Sequence, residues 1–459
     1  MENKNKSTLL GMSAFGAIFF IFGFATTFII QLSAPVKAVF NLTEFQAQLL
    51  TSAFFIAYPI MSVPTGMLIN KIGYKWTVIL GLLMMALGSV IFIPAAKLPS
   101  YPLFLLATFT LAIGVVFLQV SANPYVTAIG PEASASSRLN LTQALNSIAT
   151  MVAPWLISVA IFKGLSLPEI PTPAQELQYG VEVAERIPFP FITMALIVIV
   201  VAIALFFMKL PTISTSEKSE TGKSVYKYPH VMLGAFAIFC YVGAEAGNAG
   251  LMTNYLRDKL ELSSQVAATY AAIYWGGAMV GRFFGSIMFS DMKEGLKKYT
   301  YLALVLVLAF LSATFVTEGN TKVGLIFTGI AVVNFIFMKI GTGQPARTLG
   351  VFALAAAALA LITTFTTGHV ALWTVVSIGL FNSIMFPNIF TLAVKNLKGS
   401  ELGSASGIIN ALILGGAVIP PLMGRIADNY SYTYAYIVPA ICYLYIFFFA
   451  IKGSKIRVK

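Results

Sequence analysis

Long apolar runs separated by short polar connections make up most of the chain, and their length matches a bilayer. About 20 apolar residues form a helix long enough to cross ~30 Å of hydrocarbon. Such runs fall near residues 8–31, 45–69, 77–95, 102–129, 139–163, 188–209, 230–254, 264–289, 299–317, 323–341, 348–366, 369–395, 401–424 and 434–452. The pattern predicts an all-α membrane protein with fourteen transmembrane helices. Two connections are long. Residues 164–187 carry several Glu and Pro and read as a loop, and the Ser/Thr/Lys-rich stretch 210–228 reads as a flexible linker between two halves.

Composition narrows the class. Of 459 residues, 58% are hydrophobic and 10% are charged, where soluble proteins carry about a quarter, so a soluble enzyme is excluded. The net charge of +12 is explained by topology. With both termini in the cytoplasm, Lys71, Lys75, Arg138, Lys209, Lys293, Lys297 and Lys395 fall inside, while fewer, such as Lys97, Arg186 and Lys322, fall outside. No basic helix or zinc-ligand spacing points to nucleic acid. Cys240 and Cys442 lie inside apolar runs, which suits packing better than a disulfide framework or a metal site. The first span lacks a clear cleavage site and reads as retained. No Walker loop, acid pair or nucleophile–His arrangement is present, so neither catalysis nor ATP-driven pumping is expected, and no cofactor.

The chain repeats itself. The stretch from Asn41 to Ile69 resembles the one from Glu261 to Phe289, pairing Leu42 with Leu262 and Gly66 with Gly285. The stretch from Asn123 to Pro154 resembles Phe386 to Pro421, pairing Pro124 with Pro387 and Asn146 with Asn410. Between the two matches the offset lengthens by about the size of segment 299–341, so that segment reads as a helical hairpin inserted into the second half. Residues 1–209 and 229–459 then form two six-helix bundles in the same orientation around linker 210–228. Parallel repeats of this kind place a solute site near the midplane between the halves and expose it to each side in turn by rocking. A wet pocket is expected where the halves meet.

Three motifs resemble the fucose/galactose/glucose:cation symporter family of the major facilitator superfamily: LQVSANPYVTAIGPEASASSRLNLTQALNS (118–147), YVGAE (241–245) and SIGLFNSIMFPNIFTLAVKNL (377–397). GMLINKIGYKW (66–76) resembles a degenerate form of the superfamily's cytoplasmic motif, with Asn70 at its acidic position. The resemblance implies a major facilitator fold in a bacterial inner membrane that imports a monosaccharide with a coupling cation, Na⁺ or H⁺. Positions that carry Asp and Glu in proton-driven members are Ile30 and Gln119 here, and Phe386 replaces an aromatic hydroxyl. Coupling must therefore lie elsewhere, unless the chain is a uniporter. An exporter of sugars or drugs, or a non-transporting sensor, would share the same fold. A monomer in the lipid bilayer is expected.

Of 17 carboxylates, all but Glu245 fall in loops or at helix ends. A carboxylate deep in a bilayer is costly and marks a functional site, so Glu245 is the candidate cation-coupling residue. Arg282 lies within snorkelling reach of the cytoplasmic interface and reads mainly as structural, beside the packing face of Gly277, Gly281 and Gly285. Sugar hydroxyls both donate and accept, as amides do. The candidate substrate-binding residues are Gln119, Asn123, Gln143, Asn146, Asn248, Asn382, Asn388 and Asn410, each of which is equally suited to stitching helices together. Gln31, Tyr274 and Trp275 rank below them. Pro124 and Pro387 each remove a backbone hydrogen bond and free a carbonyl inside a span.

Overall fold

The computed structural model describes residues 2–32, 36, 39–40, 50, 52–98, 100–157, 160–161, 172–211, 225–262, 264–341 and 343–456. Residues 212–224 of the expected linker, 162–171 of the preceding loop and the side chains of Ile30 and Gln31 lie outside the described residues. Among the described residues the regular structure is helical throughout. In chain order the helices are α1 (Glu2–Gln31), α2 (Ala57–Lys97), α3 (Tyr101–Ala128), α4 (Ala135–Ile157), α5 (Pro173–Arg186), α6 (Pro188–Phe207), α7 (Pro229–Leu260), α8 (Ser264–Met288) and α9 (Leu296–Val316). They continue with α10 (Thr321–Ile340), α11 (Pro345–Phe365), α12 (Gly368–Asn382), α13 (Met385–Ala393), α14 (Gly399–Ala411), α15 (Gly415–Asn429), α16 (Tyr432–Ala435) and α17 (Ile437–Phe448). Eleven helical stretches among them are long and apolar enough to cross a membrane.

Helix α2 shows how one glycine sets topology. Its 41 residues would run about 60 Å as a single rod, roughly twice the hydrocarbon thickness. Gly73 breaks it, with φ 80° and ψ 170°, a backbone conformation that a side chain disfavours. The matched prolines behave differently. Pro124 sits inside a continuous α3, whereas the run around Pro387 is interrupted at Ser383 and Ile384, between α12 and α13.

One expectation fails. The region read as loop 164–187 contains α5, an amphipathic helix opened by a capping box in which Thr172 Oγ1 accepts from the Gln175 backbone and the Thr172 backbone donates to Gln175 Oε1 at 2.9 Å. Thr-Pro-Ala-Gln is a helix-start pattern, and the surrounding prolines obscured it.

Burial separates interior from flank. The most apolar windows of α3 and of 368–393 are 72% and 83% buried, whereas those of α9 and α10 are only 22% and 33% buried. The α9–α10 pair packs against α8 on one side and turns Leu304, Val307, Leu311 and Phe315 outward, as a lipid-facing hairpin would. Early helices pack on one another, α1 on α4 and α2 on α3 and α6. They meet the later ones along two seams, α2 with α14 and α4 with α8. At the first seam a Cβ on Gly66 would stand 2.6 Å from the Gly403 carbonyl oxygen, so backbones touch there, and Asn70 Nδ2 donates to Ser404 Oγ at 3.1 Å.

Candidate functional site

The second seam carries the buried charges. Glu245, midway along α7, turns inward: Tyr241, one turn before it, donates its hydroxyl to Oε1 at 2.6 Å, and Arg282 Nη2 on α8 lies 3.7 Å from the same oxygen. Among the described residues this is the ion pair inside the membrane helices; the other, Lys298–Glu294, lies at the start of α9. The two side chains are 14% and 7% exposed, so the pair is nearly desolvated. Arg282 does not snorkel as expected. Oxygens within the bundle satisfy its donors, which removes the reason to reach for the interface. Nε donates to Ser383 O at 3.1 Å, Nη1 to Gln143 O at 3.4 Å and to Ser147 Oγ, and Nη2 to Tyr241 Oη at 3.4 Å.

Two of the amides join this cluster through tyrosines. Asn382 Nδ2 donates to Tyr274 Oη at 2.7 Å, Tyr274 donates onward to the Glu245 carbonyl at 3.2 Å, and Asn248 Nδ2 donates to Tyr443 Oη at 2.8 Å. Gln143 touches the cluster through its backbone. Gln119 is held by Tyr58, whose hydroxyl donates to Oε1 at 2.8 Å. The carbonyl oxygens of Asn248 and Asn382 and both amide atoms of Asn123 are buried without a hydrogen-bond partner. Buried polar atoms are rarely left so, and such groups are suited to a hydroxylated ligand.

The remaining three amides donate to the scaffold, although Asn410 Oδ1, like those of Asn248 and Asn382, is buried without a partner. Asn146 Nδ2 donates to Phe19 O on α1 at 2.9 Å, and Asn410 Nδ2 donates to Ser406 O one turn back at 2.9 Å. Asn388 accepts from Asn140 and donates to Pro345 O, each at 3.4 Å. Among the described residues Asn123, Asn248 and Asn382 are 0% exposed, so a sugar reaches these three amides only when their neighbours move, whereas the Glu245 side chain keeps 14% of its surface exposed.

The matched prolines Pro124 and Pro387 each free a carbonyl that another helix caps. Pro124 leaves Val120 O unbonded within α3, and Ser406 of α14 donates to it at 2.7 Å. Ser406→Ala is expected to destabilise the purified protein by about 1 kcal/mol, the scale of hydrogen bonds between membrane helices, and Ser406→Thr to restore it. Denaturant midpoints for the three proteins check this.

Sequence reasoning missed Tyr241, Tyr443 and Ser147. Tyr241 was within reach of it, lying at i−4 from Glu245 on the same helix face. Ser147 and Tyr443 carry no local pattern that marks them.

The sequence profile of the Major Facilitator Superfamily matches residues 14–346. The chain belongs to that superfamily of membrane transporters and is not an enzyme. It is 37% identical over 99% of its length to a glucose/galactose transporter of Brucella abortus, 96% of which is covered. It is 29% identical to the L-fucose-proton symporter of Escherichia coli, covering 97% of this chain and 94% of that one. A crystal structure of the superfamily transporter FucP in the outward conformation matches with TM-score 0.78 and 28% identity, over 98% of this chain and 100% of that one.

Proposed function

We propose that the chain imports a monosaccharide, a hexose or deoxyhexose, by symport with H⁺ or Na⁺ through alternating access, and that Glu245 is the coupling residue. The observation that carries this is the desolvated Glu245–Arg282 pair, set among amides whose oxygens lack partners. Full-length similarity to proteins named for glucose/galactose and L-fucose transport supports the substrate class. Asn248 and Asn382 on one side, with Gln119, Asn123 and Gln143 on the other, are the amides best placed for the sugar. Asn146, Asn388 and Asn410 support them.

In this reading the chain has fourteen spans: residues 1–209 and 229–459 form two six-helix bundles joined by linker 210–228, and the hairpin 299–341 is an added flank. The break at Gly73 and the low burial of α9 and α10 support the count. Both termini face the cytoplasm of a bacterial inner membrane, as the Lys/Arg distribution favours, and the working unit is a monomer.

A binding screen of monosaccharides on purified protein, with and without Na⁺ and across pH, tests the proposal. A hexose or deoxyhexose whose affinity changes with one of the two ions is the expected result. Ion-independent binding would argue for uniport, and no sugar binding at all would overturn the assignment.

A further inference from the structure

Arg282 connects Glu245 to the rest of the molecule. A guanidinium has five donors and no acceptor, so its burial obliges its neighbours to supply oxygens. Here they come from separate places in the fold: Glu245 and Tyr241 on α7, the Ser383 carbonyl at the break between α12 and α13, and Gln143 O with Ser147 Oγ on α4. Ser383 O is available because Pro387, four residues on, has no N–H to bond it. The α4 contacts lie across the seam from Glu245. About one turn along α8 from Arg282, Ser137 Oγ donates to Ser286 O at 2.5 Å, and beside it Ser136 Oγ meets Thr391 Oγ1 of α13 at 2.9 Å, closing the side that bears Arg138.

The formal countercharge against the guanidinium is Glu245. The other titratable groups facing that carboxylate are Tyr241, Tyr274 and Tyr443, all hydroxyls. Neutralising one member of a buried pair leaves the other uncompensated, an arrangement that a packed interior does not tolerate. Once Glu245 loses its charge, Arg282 must seek water or another partner, and its hold on α4 goes with it.

Resting on the reading of Glu245 as the cation-sensing group, we propose that Arg282 is the positioning residue through which the charge on Glu245 controls the seam between α4 and α8. Ionised Glu245 keeps the guanidinium against Gln143 and Ser147, and the side bearing Ser137 and Ser286 stays closed. A proton bound by the carboxylate, or Na⁺ ligated by it, releases the guanidinium and lets that side open.

The experiment places Ser137→Cys in full-length protein in nanodiscs and follows its labelling by an impermeant maleimide, alongside uphill sugar accumulation in proteoliposomes. Labelling is expected to be slow at high pH without Na⁺ and to quicken about tenfold, a shift of ~1.4 kcal/mol, when the coupling cation is supplied; separate pH and Na⁺ arms tell which ion acts. With Glu245→Gln it should be fast under all conditions. With Ser147→Ala it should be faster at rest yet still respond to the ion, and Ser147→Thr should restore slow labelling. If Glu245→Gln abolishes accumulation while labelling stays slow and ion-responsive, the relay is wrong and the coupling assignment stands. If Glu245→Gln accumulates sugar normally, both fall. Unchanged labelling in Ser147→Ala, a variant that removes one hydroxyl and should fold, also overturns the relay.

Discussion

Glu245→Gln is expected to abolish uphill sugar accumulation while leaving sugar exchange across the membrane measurable. The magnitude follows from the driving force. One cation crossing about 100 mV carries ~2.3 kcal/mol, which at ~1.36 kcal/mol per tenfold supports roughly 50-fold accumulation. A neutral amide of nearly the same shape keeps a hydrogen bond with Tyr241 but has no charge to exchange with a proton or Na⁺, so the ratio should fall to about one. Exchange without a gradient requires only binding and rocking, so counterflow separates lost coupling from lost transport. Accumulation at the parent level in the variant would remove Glu245 from the mechanism.

Gly66→Val is expected to slow transport by tenfold or more without abolishing the fold. The added side chain would meet the Gly403 carbonyl oxygen, already 2.6 Å from the ideal Cβ position, and backbone cannot rotate away as a side chain can. Overpacking of this kind costs about 1–3 kcal/mol. The strain falls on the seam between α2 and α14, where Gly407 likewise stands against Ser62 O. It therefore acts against the closed form of that side and leaves each separate group of helices alone. Initial rates of counterflow, with expression and thermal stability measured in parallel, check the expectation; parent-like rates would show that this seam does not close tightly in the cycle.

The two substitutions probe residues that were legible to different degrees. Glu245 stood out in the sequence because one carboxylate inside an apolar run is conspicuous whatever surrounds it, and the structure turns it inward toward Arg282. Gly66 was visible as one half of the repeat match with Gly285, but its contact is with Gly403, on a segment 337 positions away. The eight amides illustrate the limit. By residue type they were equivalent, yet Asn146 is spent on the Phe19 carbonyl and Asn410 on its own helix, while Asn123 is buried with both amide atoms unpaired.

The sequence by itself determined the long apolar helices and their bilayer setting, though not the amphipathic α5, because hydrophobic run length and the positions of Gly and Pro are local properties written in consecutive residues. It also determined that a buried acid needed an explanation. Only the tertiary structure decided what answers that acid: a guanidinium 37 positions on, held in turn by oxygens from α4 and from the helix break before Pro387. Hydrogen-bond partners are chosen by distance in space at a scale of about 3 Å, and helices that run mostly apolar all round do not encode, residue by residue, which face will meet which neighbour.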